Sequence, residues 1–117
     1  MTRAQELEAA VKKLLDCLNI RYMRVENYVC YKCHTVQNSQ AKGWPDFFCL
    51  IKTDYYKPDN TYWYLAIECK TGKGDLTPEQ KSWRNDFIAM PCTGFMLLRN
   101  TVDELIEYLK SVGYNIK

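Results

Sequence analysis

The chain has 117 residues, with 16 Lys and Arg against 14 Asp and Glu, a formal net charge of +2 and 47% hydrophobic residues. That length suits one domain over residues 1–117, and the apolar share is enough for roughly 65% of the unfolded surface to be buried around one modest core. A transmembrane helix is excluded because no apolar run approaches roughly 18 residues. The small net charge neither announces nucleic acid nor excludes it, since a basic face can be offset by acids elsewhere.

Met1 to Leu18 is charged throughout and has no secretory pattern. A cytoplasmic setting is therefore expected, where the six cysteines stay reduced. Cys17, Cys49, Cys69 and Cys92 lie in apolar or patterned segments and read as small buried hydrophobes. Thr2 and Gln5 have capping-box spacing, and Leu7, Ala10, Val11, Leu14 and Leu18 follow at helical period. This predicts an amphipathic helix over 3–18 that stops at Asn19. Residues 21–32, rich in Tyr and Val, read as one bent strand or a hairpin broken near Asn27. Residues 33–42 are polar and unpatterned, a loop.

The continuous apolar run Asp46-Phe47-Phe48-Cys49-Leu50-Ile51 fits a strand buried on both faces. Residues 52–60 read as a turn and 61–69 as a second strand. After the Gly-containing link 71–74, Thr77 is placed to cap a helix with Pro78 at its first position and Gln80 completing a capping box. That helix should run to about Ala89. Residues 94–98 read as a third buried strand and 102–110 as a closing helix ended near Gly113. The strand–helix–strand stretch 61–98 is a βαβ unit, so its strands should be parallel. The class is α/β with a mixed central sheet flanked by helices.

The chemistry concentrates in Gly43-Trp44-Pro45-Asp46 and Glu68-Cys69-Lys70. Residues two apart in a strand share a face, so Glu68 and Lys70 stand side by side and Cys69 points the other way, into the core. If the Asp46 strand pairs beside them, two carboxylates and one ammonium converge. Mg²⁺ or Mn²⁺ prefers oxygen ligands, commonly one or two carboxylates with waters and phosphate oxygens; Asp46 and Glu68 supply the carboxylates, and the Cys69 backbone carbonyl is a further candidate. Lys70 is placed to orient an attacking water or to offset developing negative charge. Taken singly, a Glu-x-Lys is usually a cross-strand ion pair and a Pro-Asp usually a turn. It is their combination, before a βαβ unit, that points to phosphodiester hydrolysis.

These motifs, with Leu76-Thr77-Pro78-Glu79-Gln80 after them, resemble the VRR-NUC family of the PD-(D/E)XK nuclease superfamily. The resemblance runs from about Glu6 to Leu109. It implies a restriction-endonuclease-like core in which Asp46 and Glu68 hold the metal and Lys70 assists catalysis. Gln80 matches the family's site glutamine, a role compatible with its capping role. The family also places a first-helix glutamate near the metal. Glu6 and Glu8 are both candidates, and a solvated helix face is the alternative. Arg24 resembles a basic residue of the following strand. The centre of the family's E-x-K is usually aliphatic and here is Cys69. The resemblance implies a bare nuclease domain from a bacterial or phage-infected cell, acting on branched or junction DNA in replication, recombination or repair and associating as a homodimer. The alternative is a catalytically silent DNA-binding or assembly module with the same fold.

Cys30-Tyr31-Lys32-Cys33-His34 matches a c-type haem pattern. Haem is not expected, because no export signal is present. Zinc on Cys30, Cys33 and His34 lacks a nearby fourth ligand. The ordinary reading is a strand end. Lys42, Lys73, Lys81 and Arg84, with Lys12 and Lys13, give a basic rim suited to a phosphate backbone. Tyr55, Tyr56 and Tyr62 fit a sheet edge better than base stacking. No groove-reading motif occurs, which favours recognition of DNA shape.

Overall fold

A computed structural model of the chain describes residues 3–25, 43–53 and 62–114. Among these the order is α1 (Arg3–Cys17), β1 (Arg21–Arg24), β2 (Phe47–Lys52), β3 (Tyr62–Cys69), α2 (Pro78–Ile88), β4 (Thr93–Leu98) and α3 (Asp103–Ser111). The four strands form one sheet in the order β1-β2-β3-β4. β1 and β2 are antiparallel, as are β2 and β3, whereas β3 and β4 are parallel, as expected for strands joined by a crossover helix. The sheet is therefore mixed and the class α/β. No helix among the described residues is long and apolar enough to cross a membrane.

The core lies on one face of the sheet. Leu7, Val11 and Leu15 of α1 and Leu105 and Leu109 of α3 pack on Phe47, Cys49 and Ile51 of β2, Leu65, Ile67 and Cys69 of β3 and Leu98 of β4. Leu15 belongs to the buried stripe, while Leu14 and Leu18 are only partly covered. α2 packs on the opposite face: its Phe87 ring lies 5.6 Å from Phe48 and its Trp83 ring 6.2 Å from Phe95. One short helix does not cover that whole face. This is why β2 alternates, with Phe47, Cys49 and Ile51 buried and Phe48 and Leu50 half-buried, rather than being buried on both sides. β4, last in the order of the described strands, is likewise half-buried over all but Leu98.

Of the strand or hairpin expected over residues 21–32, the part beyond Val25 lies outside the described residues. β1 ends at Arg24, although the Val25 N–H still donates to the Asp46 carbonyl at 3.0 Å. Beyond that point its partner strand has turned away through Pro45, which lacks an N–H, and Gly43, at φ +85°. The 26–42, 54–61 and 115–117 segments, with Thr2, lie outside the described residues. Asn19 ends α1 in the left-handed region, at φ 56°. Cys49 and Cys69 are buried, but Cys17 is exposed on the polar side of α1. Cys92 is partly exposed in the turn before β4, at φ 58°. The four are free thiols.

Candidate active site

Asp46 is held from two sides. Its carbonyl accepts the Val25 N–H, which extends the β1–β2 ladder by one step. Its Oδ2 accepts the Cys69 N–H of β3 at 2.8 Å. The β2–β3 register, in which Phe47 faces Ile67, continues to set Asp46 beside Glu68. Glu68 and Lys70 project from the end of β3 away from the main core. The Lys70 Nζ lies 3.8 Å from the Glu68 Oε1, and the Lys70 N–H continues the parallel ladder to the Leu98 carbonyl at 3.0 Å. Cys69 points into the core, as the alternation of side chains requires. Its N–H is committed to Asp46.

α2 brings Gln80 to the same place. Thr77 caps the helix by accepting the Gln80 N–H at 3.2 Å, and the Gln80 Oε1 accepts the Thr77 N–H at 2.8 Å, completing the capping box. The same side chain comes near enough to Glu68 to favour its ionised form, so the capping and site positions coincide. Gly43 packs the Asp46 turn on this helix. A Cβ at Gly43 would come 2.7 Å from the Glu79 carbonyl oxygen, so the close approach and the positive φ both require glycine.

The electrostatics follow from crowding acids in a dry corner. Glu68 is 5% exposed. Burial, then the Asp46 carboxylate, push its pKa from 4.5 up to about 8 against the opposing pull of Lys70 and Gln80. Its Oε2 is buried without a hydrogen-bond partner among the described residues. Of the two first-helix candidates, Glu8 reaches the cluster: burial and then Asp46 raise its pKa, while Arg24 opposes the rise. Arg24 Nη2 donates to Glu8 Oε2 at 3.1 Å. Glu6 is exposed and lines a separate polar cleft with Arg3, Thr71 and Arg99. Burial first, then the Asp46, Glu8 and Glu68 charges, drive the Cys69 thiol far up, so it stays protonated. Among the described residues no group of three or more His, Cys, Asp or Glu side chains is gathered tightly enough to hold a metal by itself. A Mg²⁺ ion commonly asks the protein for only one or two carboxylates. An unpartnered buried oxygen on Glu68, beside Asp46, suits such an ion.

The basic rim is only partly assembled. Lys81 lies 3.8 Å from Asp75, and the Arg84 guanidinium bonds the Asn85 side chain at 3.2 and 3.3 Å. Lys73 is exposed in a link that Arg99 ties down by donating to the Gly72 and Gly74 carbonyls. Lys12 is engaged by Asp16 at 3.1 Å, and Lys13 is exposed. Tyr62 is exposed on β3. Lys42, Asn27, Tyr55, Tyr56, Cys30, Cys33 and His34 lie outside the described residues. The sequence reading passed over one feature beside the acids, an aromatic cleft between Trp44 and Trp83, whose rings lie 5.6 Å apart. Its signal was an indole between Gly43 and Pro45, where a strand-entry turn leaves it 42% exposed.

Compared with known proteins, the chain matches no family model, no curated protein and no solved structure.

Proposed function

We propose that this chain is a divalent-metal-dependent DNA nuclease built on a PD-(D/E)XK-type core, as the likeness of its motifs to the VRR-NUC family implies, and selective for branched or junction DNA. The observation that carries the reading is the Glu68 carboxylate, buried beside Asp46 and Lys70 with one oxygen unpartnered. Leaving such a group unpaired is costly to folding, and a cation relieves the cost.

Asp46 and Glu68 would hold Mg²⁺ or Mn²⁺, with Glu8 near enough to take part through water. When bound, the ion supplies charge neutralisation for the phosphodiester and acidifies water. The remaining work falls to side chains. Cys69 N–H fixes the Asp46 carboxylate so that it need not reorganise. Lys70, anchored by Glu68, presents N–H donors to the attacking water or to the phosphate oxygen on which charge grows. Gln80, fixed by its capping bonds, orients Glu68. Arg24 fixes Glu8. Lys73, Lys81 and Arg84, with Lys42 of the segment before Gly43, would meet the phosphate backbone. A homodimer and a cytoplasmic setting in a bacterial or phage-infected cell are parts of the same proposal.

The test is cleavage of linear duplex, single strand, flap and four-way junction with Mg²⁺ or Mn²⁺. Asp46→Ala, Glu68→Ala and Lys70→Ala should each lower the rate by about 10³-fold or more with the fold intact, and EDTA should stop the wild type. Full activity in any of the three variants, or indifference to chelator, refutes the assignment. Binding without cleavage across all metals would instead make the chain a non-catalytic DNA-binding module.

A further inference from the structure

We infer that the aromatic cleft beside the acid–lysine site receives one unpaired base of the DNA, so that the preferred substrate carries a single-stranded nucleotide next to the scissile phosphate. The inference rests on the nuclease reading above and names its substrate class more closely.

The cleft has a volume of about 630 Å³, and among the described residues it is lined by Trp44, Trp83, Phe48, Phe87 and two methionines, with Asp86 the one charged residue. That is within the range of roughly 300–1,000 Å³ usual for pockets that take a small planar group. Trp83 is stacked on Phe87 at 4.8 Å, which fixes one wall. Trp44 is tilted 50° to Trp83 and is 42% exposed, so the two indoles make a wedge whose Trp44 side is open to solvent. Bases stack on such faces irrespective of sequence, and the Asp86 carboxylate offers the exocyclic amines an acceptor.

The cleft and the acids are built from the same two pieces of chain. Trp44 is two residues before Asp46 in the turn that Gly43 seats on α2. Trp83 follows Gln80 by one helical turn. Phe48 lies two residues beyond Asp46 on β2 and shares the face of β3 on which Glu68 stands. A strand whose phosphate lies at Asp46 and Glu68 therefore has its neighbouring base at the mouth of the wedge. A paired base cannot enter, because its partner holds it in the stack.

The experiment measures binding of the full chain, with Ca²⁺ in place of Mg²⁺ and the DNA checked to be uncut, to a duplex with a short single-stranded overhang carrying 2-aminopurine at the junction. Binding should quench the fluorophore, and an abasic site at that position should weaken binding about tenfold. Trp44→Ala should lose the quench and bind the base-bearing overhang about tenfold more weakly. It should bind the abasic overhang no worse than wild type binds it, and Trp44→Phe should restore the preference. Equal wild-type binding of both overhangs, or additive losses from the abasic site and Trp44→Ala, overturns the base pocket. So does a dimer in sedimentation that Trp44→Ala breaks while the quench is absent. Metal-dependent cleavage without quenching removes the base pocket alone, whereas quenching without cleavage under any metal removes hydrolysis alone.

Discussion

Replacing Glu68 by Gln should make the protein more stable at high pH and leave it little changed at low pH. In the folded chain the Glu68 pKa stands at about 8, against 4.5 in the absence of burial and neighbours. Between those values the folded chain keeps a proton that the unfolded chain has released. The Glu68 contribution to stability is therefore fully present below 4.5 and is lost as pH rises towards 8. At about 1.4 kcal/mol per pKa unit, the full displacement sets a ceiling of about 5 kcal/mol. Relaxation around the charge and screening at the partly open side reduce this to about 2 kcal/mol. Glutamine has nearly the same shape and no charge to bury. Urea denaturation in EDTA should thus find Glu68→Gln about 2 kcal/mol more stable than wild type near pH 9 and similar to it near pH 5. Glu8, raised like Glu68, and Asp16 and Asp75, lowered, titrate in both proteins and cancel to first order in the difference. Added Mg²⁺ should stabilise wild type at the higher pH and do nothing for the variant, since a ligand stabilises only the state that binds it. Parallel stability–pH curves for the two proteins would refute the reasoning.

Gly43→Ala should cost about 2–3 kcal/mol in thermal or urea unfolding, because a Cβ meets the Glu79 carbonyl at a positive φ; an unchanged midpoint would mean the turn sits off α2. Thr77→Ala removes the cap of α2 and should cost about 1 kcal/mol, with faster amide exchange in the first turn of that helix; unchanged exchange would show the capping box to be idle. Gly94→Ala puts a methyl group into the Tyr108 hydroxyl, which accepts the Trp63 indole N–H at 2.9 Å over that glycine. The loss should be about 2 kcal/mol and partly recovered in Gly94→Ala/Tyr108→Phe, a recovery measured by a double-mutant cycle.

Local signals made α2 legible, since Thr77, Pro78 and Gln80 settle its start within four residues whatever the rest of the chain does. The side-by-side placement of Glu68 and Lys70 followed from strand alternation alone, and so did the inward Cys69. What alternation cannot supply is register. That Asp46 spends its carbonyl on Val25 and its carboxylate on Cys69 depends on how three strands line up. The choice between Glu6 and Glu8 depends on the rotation of α1 against the sheet. The two stand about 200° apart around the helix, and the stripe flanked by both could not decide. Burial on both faces was overestimated for β2 because apolar content says nothing about how far the covering helix reaches. Cys17 reads as core by composition, yet it lies beyond the Leu7, Val11 and Leu15 stripe.

The double anchorage of Asp46 ties the candidate site to the short β1 margin of the described sheet. β1 is four residues long and, among the described residues, pairs only with β2, and such strands detach before a packed centre does. When it lifts, Asp46 loses the main-chain tether that aims its carboxylate, while Glu68 and Lys70 stay fixed between β2 and β4. On the nuclease proposal, mild denaturant should therefore stop cleavage while the tryptophans and far-ultraviolet dichroism still report a folded chain, making its loss an early warning of fraying at this margin.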